Sequence, residues 1–317
     1  MQTESRLEQI GDLIKFGSVS FNFEDLLETH YRRWVRSGDT IIDIGAHTGR
    51  HLEPLLECVG LEGKAIAFEP LPFAFDVLRE RFKGTQVELN NMALGKEAGM
   101  VEFTYARGTP EESGLRRRTY NAPELADPTL IEVRIDTLDR YCADLESIAF
   151  IKIDVEGAEI DCLKGAVKTL QRHRPVVSVE YGRPSYSVYG HTKDTLYELA
   201  VSYGYVMFDI FINRLDTIED WRSTCDRVSW DYFMVPRERC TEFLERMQLP
   251  VHQKPNTISA DRSEEERLAK LVQSLRAELD ALHNHHAVAM AENNAILHSH
   301  SWRVTAPLRA IARAMRK

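Results

Sequence analysis

Short apolar runs separated by amphipathic stretches organise most of the chain. Runs at 40–44, 64–68, 85–89, 100–105, 131–135, 149–153, 176–181, 204–209 and 229–235 have the length and residue types of strands. Helical spacing of apolar residues fills 49–59, 72–82, 159–172 and 192–203 between several of them. Ala65-Ile66-Ala67-Phe68 and Ile148–Ile153 are apolar at nearly every position, as strands covered by helices on both faces are. The alternation predicts an α/β fold built on a mostly parallel, doubly wound sheet. Between 204–209 and 229–235 no helical pattern stands out, so this pair is expected to form an antiparallel edge.

The ends of the chain read differently. Leu7, Ile10, Leu13 and Ile14, then Phe23, Leu26, Leu27, Tyr31 and Trp34, are spaced as N-terminal helices over 1–36, packed on a main body at 37–249. Beyond it, 250–262 has the composition of a linker. A long helix over 263–300 is opened by the acids Glu264, Glu265 and Glu266 and carries a Leu268, Leu271, Leu275, Leu279, Leu282 stripe. That stripe suits a short coiled coil and, through it, a homo-oligomer. Residues 106–129 form a polar stretch with three prolines and the run Arg116-Arg117-Arg118. It is expected to be a long loop, with the arginines solvated or binding a phosphate or acidic sugar.

Composition narrows the classes. With 317 residues, 43% hydrophobic and 28% charged, the chain is long enough for a large core plus an extension. A net charge of −9 excludes a general nucleic-acid binder. Yet 301–317 holds Arg303, Arg309, Arg313, Arg316 and Lys317 and no acid, among Trp302, Val304, Leu308, Ile311 and Met315. This basic amphipathic tail suits the surface of an anionic membrane or an acidic protein partner. Cys58, Cys142, Cys162, Cys225 and Cys240 are far apart and form no C-x-x-C pair, which argues against disulfides or structural zinc. Together with the absence of a signal peptide or an apolar run of ~20 residues, this points to the cytoplasm, with the tail allowing contact at the inner face of the membrane.

The chemistry is concentrated at strand ends. In Ile41-Ile42-Asp43-Ile44-Gly45-Ala46-His47-Thr48-Gly49-Arg50 a strand runs into a turn with two glycines and then a helix. Glycine belongs where backbone meets a ligand closely or φ is positive. Asp43 would repel a pyrophosphate and suits a cationic ligand, such as the amino or sulfonium end of S-adenosylmethionine. Glu69 and Pro70 end the next strand, where an acid partners ribose hydroxyls. The G-x-G-x-x-G of nicotinamide dinucleotides is missing, which sets that cofactor aside. Further on, Phe150-Ile151-Lys152-Ile153-Asp154-Val155-Glu156-Gly157-Ala158-Glu159 places three carboxylates on a turn facing the cleft. Asp154 or Glu156 could take a proton from a substrate hydroxyl, or the two could hold a divalent metal. The competing reading has Glu159 opening a helix and Glu156 paired with Lys152 or an arginine. Glu180 ends another strand toward the same cleft and is a weaker base, as is His191; pairing with Arg183 would account for Glu180 otherwise.

These pieces resemble the FkbM family of S-adenosylmethionine-dependent methyltransferases, which mostly methylate oxygen. The resemblance lies in GDTIIDIGAHTGRH, AIAFEPLPFAFDVL, NNMALGKEAGMVEF, VRIDTLDRY and FIKIDVEGAEIDCLKGAVKTLQRHRPVVSVE, together nearly half the chain. It implies a class I, Rossmann-like methyltransferase fold with Asp43 to Gly49 (Gly45, Ala46 and His47 included) and Glu69 in the cofactor site. It also implies that Asn91, Ala93 and Leu94 approach the adenine and that Asp154 sits beside the methyl donor. His47 departs from the asparagine usual in the family and adds a titratable group, so cofactor binding is expected to vary with pH. Family members act on sugars, polyketides and other hydroxylated metabolites. The tail looks like termini of bacterial surface-polysaccharide enzymes, which makes a glycan or lipid-linked glycan the expected acceptor, with no resident metal. The alternatives are a non-catalytic scaffold retaining the fold, and a metal-dependent O-methyltransferase using Asp154, Glu156 and Glu180 as ligands.

Overall fold

The computed structural model describes residues 22–118, 120 and 123–248. The linker at 250–262, the long helix at 263–300, the tail at 301–317 and the first half of the N-terminal segment lie outside the described residues.

The chain opens with α1 (Phe23–Trp34), where the Asn22 side chain accepts the Asp25 N–H, acids occupy the first turn and arginines the last. Leu27, His30, Tyr31 and Trp34 are its buried face, at the spacing of adjacent helical turns. Five parallel strands follow the expected alternation: β1 (Thr40–Ile44), β2 (Lys64–Phe68), β3 (Glu88–Asn90), β7 (Phe150–Ile153) and β8 (Val176–Glu180). Helices α2 (Leu52–Val59) and α3 (Pro72–Arg81) lie between the first three. The full sheet has eight strands, adding β9 (Tyr205–Asp209), β10 (Arg214–Leu215) and β11 (Asp231–Pro236), in the order β10-β9-β11-β8-β7-β1-β2-β3. Side chains alternate between two cores: Ile42, Ile66, Ile151 and Val177 enter one, Ile41, Ala65, Phe150 and Val176 the other. Both faces are therefore buried, the physical reason these strands read as continuous apolar runs.

Four expectations change. First, β5 (Gly99–Ala106) and β6 (Pro128–Asp136) leave the main sheet and pair antiparallel with each other, with β4 (Ala93–Leu94) alongside β6, in a separate three-stranded sheet. Second, the 106–129 stretch is the long tip of this hairpin. It is partly ordered by a 3₁₀ turn at Pro110–Glu112, a Thr104–Gly114 bridge and a short helix, α4 (Pro123–Ala126). Third, the 159–172 helix is two helices, α6 (Glu159–Lys164) and α7 (Val167–His173), which follow the short α5 (Leu138–Tyr141). A Cβ at Gly165 would sit 2.0 Å from the Gly95 carbonyl oxygen, so the break lets the small sheet approach. Asp139 then accepts the Lys168 and Thr169 N–H groups at 3.0 and 2.7 Å, capping α7.

Fourth, the expected antiparallel pair forms, β11 against β9, but β11 lies on its inner side beside β8 and the short β10 takes the edge. The segment before β11 contains α10 (Ile218–Thr224), closed by a reciprocal Thr217–Asp220 capping box. Between β8 and β9 run the short α8 (Arg183–Tyr186) and α9 (Thr195–Ser202). Last, α11 (Cys240–Met247) packs on α1 through Phe243 against Trp34, whose ring lies between the Arg239 and Arg246 guanidinium groups at 4.5 and 4.3 Å.

Candidate functional site

A cavity opens at the carboxyl ends of β1, β2 and β7, where an open α/β sheet places its ligands. Its walls bring together Asp43, Gly45, Ala46, His47, Glu69, Pro70, Ala93, Leu94, Asp154, Glu156 and Glu180, expected from the sequence as scattered strand ends. Gly49 and Asn91 do not line it. A Cβ on Gly49 would lie 2.6 Å from the Phe82 ring, so this glycine, with φ +88°, serves packing against α3. Asn91 turns its amide back to the Glu69 and Pro70 carbonyls, at 2.8 and 3.2 Å, and braces the turn behind the cavity. His191 is also absent from the cavity wall.

Asp43 is the most telling residue. It is 1% exposed, and neither carboxylate oxygen has a hydrogen-bond partner. Burial raises its pKa, only partly offset by the charges of Lys152 and His51. A buried acceptor-only group facing a cavity fits the cationic end of a ligand. Gly45 answers a different demand: with φ +82°, a Cβ would lie 1.8 Å from the Asp154 carbonyl oxygen. It lets the β1 and β7 turns touch, rather than a ligand approach.

Glu69 accepts the His47 N–H at 2.7 Å and the Leu71 N–H at 2.8 Å, tying the first two strand ends together. A carboxylate has about four lone-pair sites, so two remain for hydroxyl groups in the cavity. Burial lifts its pKa to about 7, against those two N–H bonds. His47 has φ 46°, a left-handed conformation that asparagine tolerates far better than most residues, which gives a physical reason for the family's usual choice. Burial pulls its pKa below the ordinary histidine value. His47 is therefore neutral at pH 7, which moves the expected pH dependence of cofactor binding to more acidic conditions.

The β7 turn carries a charge network. Asp43 and Lys152 are cross-strand partners, and Lys152, 3% exposed, donates to Asp154 Oδ2 at 2.8 Å. Burial alone would depress Lys152, but Asp154 and Asp43 push it above the ordinary lysine range. Burial likewise pushes Asp154 up, yet Lys152 and a hydrogen bond from Glu180 outweigh it and hold Asp154 low. Glu180 is raised well above its usual value by burial and by Asp154. Of the two, Glu180 therefore takes up a proton more readily than Asp154.

Glu156, at φ 55°, sits in a conformation strained for its residue type and forms an ion pair with buried Arg118. Its Oε2 also accepts from Ser185 Oγ at 3.2 Å. Arg116 and Arg117 are exposed, as the solvated reading expects, although Arg116 also lies over the Tyr189 ring at 5.0 Å; Arg118 is buried. Glu159 opens α6, as the competing reading has it, and its side chain accepts the Val155 and Gly157 N–H groups and folds the turn. Oxygens of Asp154, Glu156 and Glu180 lie within 4.8 Å of one another, close enough to hold a metal ion. Lys152 and Arg118 already supply the positive charge there.

Two site residues were not singled out in the sequence. His51, the last residue of the GDTIIDIGAHTGRH run, lines the cavity, its Nε2 2.5 Å from Glu24 Oε2 and its Nδ1 3.3 Å from the Tyr31 hydroxyl. Asp231 is the cross-strand partner of Glu180. His51 takes its role from α1 and Asp231 from the strand order, and neither contact is local in sequence.

The family model of the methyltransferase FkbM domain matches residues 43–207, just over half the chain and the whole of this wall except Glu24. The chain belongs to the FkbM methyltransferase family. Methyltransferase sdnD of Sordaria araneosa is 29% identical over 158 residues, covering 41% of this chain and 61% of that protein. The 2-O-methyltransferase NoeI of Sinorhizobium fredii is 29% identical over 148 residues, covering 42% and 60%. The chain therefore spans about 60% of the length of these relatives. Among solved structures, methyltransferase FkbM from Methylobacillus flagellatus KT aligns with a TM-score of 0.39 and 18% identity, covering 62% of this chain and 44% of that one. Fibrillarin of Aeropyrum pernix, solved with S-adenosyl-L-methionine, aligns with a TM-score of 0.37 and 12% identity, covering 66% and 74%.

Proposed function

We propose that this FkbM-family protein is an S-adenosylmethionine-dependent O-methyltransferase acting on a hydroxyl of a sugar. The observation that carries the cofactor is Asp43, a carboxylate sealed in the cavity wall with both oxygens unpartnered. Asp43 would hold the cationic end of the cofactor, Glu69 its ribose hydroxyls, and the Met92–Leu94 wall its adenine. When bound, S-adenosylmethionine supplies an electrophilic methyl group on a sulfonium sulfur. Support for oxygen as the acceptor comes from the NoeI relative, a 2-O-methyltransferase.

The chain's own work is positioning and proton transfer. A sugar hydroxyl is a poor nucleophile near neutral pH, so a carboxylate must accept its proton. Asp154 is the ionised member of the Asp154–Glu180 pair, held at Oδ2 by Lys152, and is the carboxylate that takes the hydroxyl proton. Glu180, the more readily protonated of the two, fixes the orientation of Asp154. Glu156 is committed to Arg118 and acts as an anchor for the loop rather than as the base.

The test is calorimetric titration with S-adenosylhomocysteine of the wild type and an Asp43→Ala variant. Binding by the first and not the second supports the reading; no binding by either favours a scaffold that has kept the fold. For the basic segment 301–317 we assign contact with an anionic membrane, read as co-sedimentation with phosphatidylglycerol vesicles that is lost on truncation after residue 300. No helix among the described residues is long and apolar enough to cross a membrane.

A further inference from the structure

Beside the cavity lies a second, more open cleft of about 530 Å³, within the roughly 300–1,000 Å³ usual for ligand sites. Glu24 and Glu180 line both spaces, so a molecule in the cleft meets Glu180, the hydrogen-bond partner of Asp154. Its remaining wall comes from the segment that enters β11, above all Ser229, Trp230 and Asp231.

Trp230 is unusual in this fold. Trp34 and Trp221 are 1% and 0% exposed, whereas Trp230 is 38% exposed. An indole left in water forgoes the burial that otherwise makes tryptophan stabilising, which marks it as a contact surface. It is also held in place. A Cβ on Gly182 would lie 2.6 Å from Trp230 Cδ2, so one side of the ring rests directly on glycine backbone. The Trp230 carbonyl accepts the Tyr181 N–H at 2.7 Å, which extends the β8–β11 ladder through this residue. The ring is thus a fixed plate with a free face.

Four carboxylates, Glu24, Glu180, Asp226 and Asp231, line the cleft against one cation, Arg227, so acceptors outnumber donors around the plate. Glu180 and Asp231 face each other across the strand pair, Glu24 closes the far side, and Ser229 Oγ lies 3.3 Å from Asp231 Oδ2. Carboxylates accept hydrogen bonds from hydroxyl donors and repel anions. Burial lifts Asp231 to about 7, with Asp154 and Glu24 adding to the rise against the opposing charge of Lys152.

We propose that this cleft is the acceptor subsite, that Trp230 is its stacking platform, and that it admits a neutral hydroxylated ring while rejecting acidic ones. The inference rests on the methyl-transfer reading above and adds where the acceptor sits and which charge it carries. Stacking of the ring's C–H face on the indole orients it, and the carboxylates read its hydroxyls. The nearest hydroxyl then meets Asp154 and Glu180.

The experiment uses the full chain saturated with S-adenosylhomocysteine, its binding verified by calorimetry. Saturation-transfer NMR titrations follow with methyl glucoside, methyl mannoside, methyl galactoside and methyl glucuronide. At least one neutral glycoside is expected to bind, with the glucuronide about tenfold weaker or more. Trp230→Ala should weaken the neutral ligand at least tenfold while Trp230→Phe stays within about threefold, both keeping wild-type affinity for S-adenosylhomocysteine. Asp231→Asn should narrow the gap between glucoside and glucuronide. The subsite assignment fails if S-adenosylhomocysteine binds but no neutral glycoside does, if the glucuronide binds as well, or if Trp230→Ala changes nothing. Loss of S-adenosylhomocysteine binding by the wild type would instead strike the methyl-transfer reading itself.

Discussion

A carboxylate buried without a hydrogen bond is among the more destabilising features a fold can carry, and Asp43 is one. Asp43→Asn keeps the shape and removes the charge. It is expected to raise the Tm of the ligand-free protein at pH 8 by roughly 2–4 °C and to weaken S-adenosylhomocysteine roughly tenfold to a hundredfold in calorimetry. A fall in both would mean that the charge serves structure, through Lys152. Glu180→Gln keeps a donor beside Asp154 and should hold kcat within about tenfold of the wild type. Glu180→Ala removes that donor and should lower kcat about a hundredfold or more with cofactor binding intact, read from initial rates beside a calorimetric Kd. Because Lys152 and Arg118 already neutralise the acidic cluster, treatment with EDTA should leave methyl transfer unchanged. At this scale much was legible from residue type alone: an acid at a strand end, before a glycine turn in one case and a proline in the other, singles out Asp43 and Glu69. Asp231 was not, because its neighbours come from strands far along the chain.

The hairpin tip between β5 and β6 is the element on which the cavity's closure depends. Pro110, Glu111, Ser113 and Leu115 line the cavity from this tip, and the Arg118–Glu156 ion pair fastens it to the β7 turn. Breaking one partner of a buried pair leaves a charge stranded. Arg118→Ala should therefore speed proteolysis and amide exchange within 107–127 and raise the KM for S-adenosylmethionine several-fold. An unchanged exchange pattern would show that the tip is held by other contacts. The polar, proline-containing composition of this segment reads as a loop, as it should, since composition reports solvation and turn chemistry. What the loop covers is a question of sheet assignment, and β5 and β6 have the same strand signature whichever sheet they join. The break between α6 and α7 was hidden for a related reason: Gly165 looks like an ordinary helix glycine until Gly95 is seen against it.

Across the whole molecule, buried acids set the response to pH. Burial lifts Glu69, Glu159 and Asp231 to about 7, above their ordinary values of 4.5, 4.5 and 3.8. The folded state then binds more protons than the unfolded state between those values and about 7, so stability is full at the acidic end of that window and is lost as pH rises through it. The ligand-free protein is expected to melt roughly 5 °C lower at pH 8 than at pH 5.5 in scanning calorimetry. A flat profile would mean that these acids are solvated in solution. Residues with lowered values, Glu24 beside His51 among them, reverse the trend only in stronger acid.

By itself the sequence determined the α/β class, the doubly covered strands, the two strand-end acids of the cavity and the family, because each is written in local spacing and residue type. Tertiary structure alone decided that β11 enters the sheet between β8 and β9, which carries Asp231 and Trp230 to the cavity's edge. It also decided which cation meets which acid. Glu156 could have paired with Lys152 or with an arginine, and the placement of the hairpin tip selected Arg118. Pairing of that kind depends on distances across the fold, and a one-dimensional pattern holds no record of them.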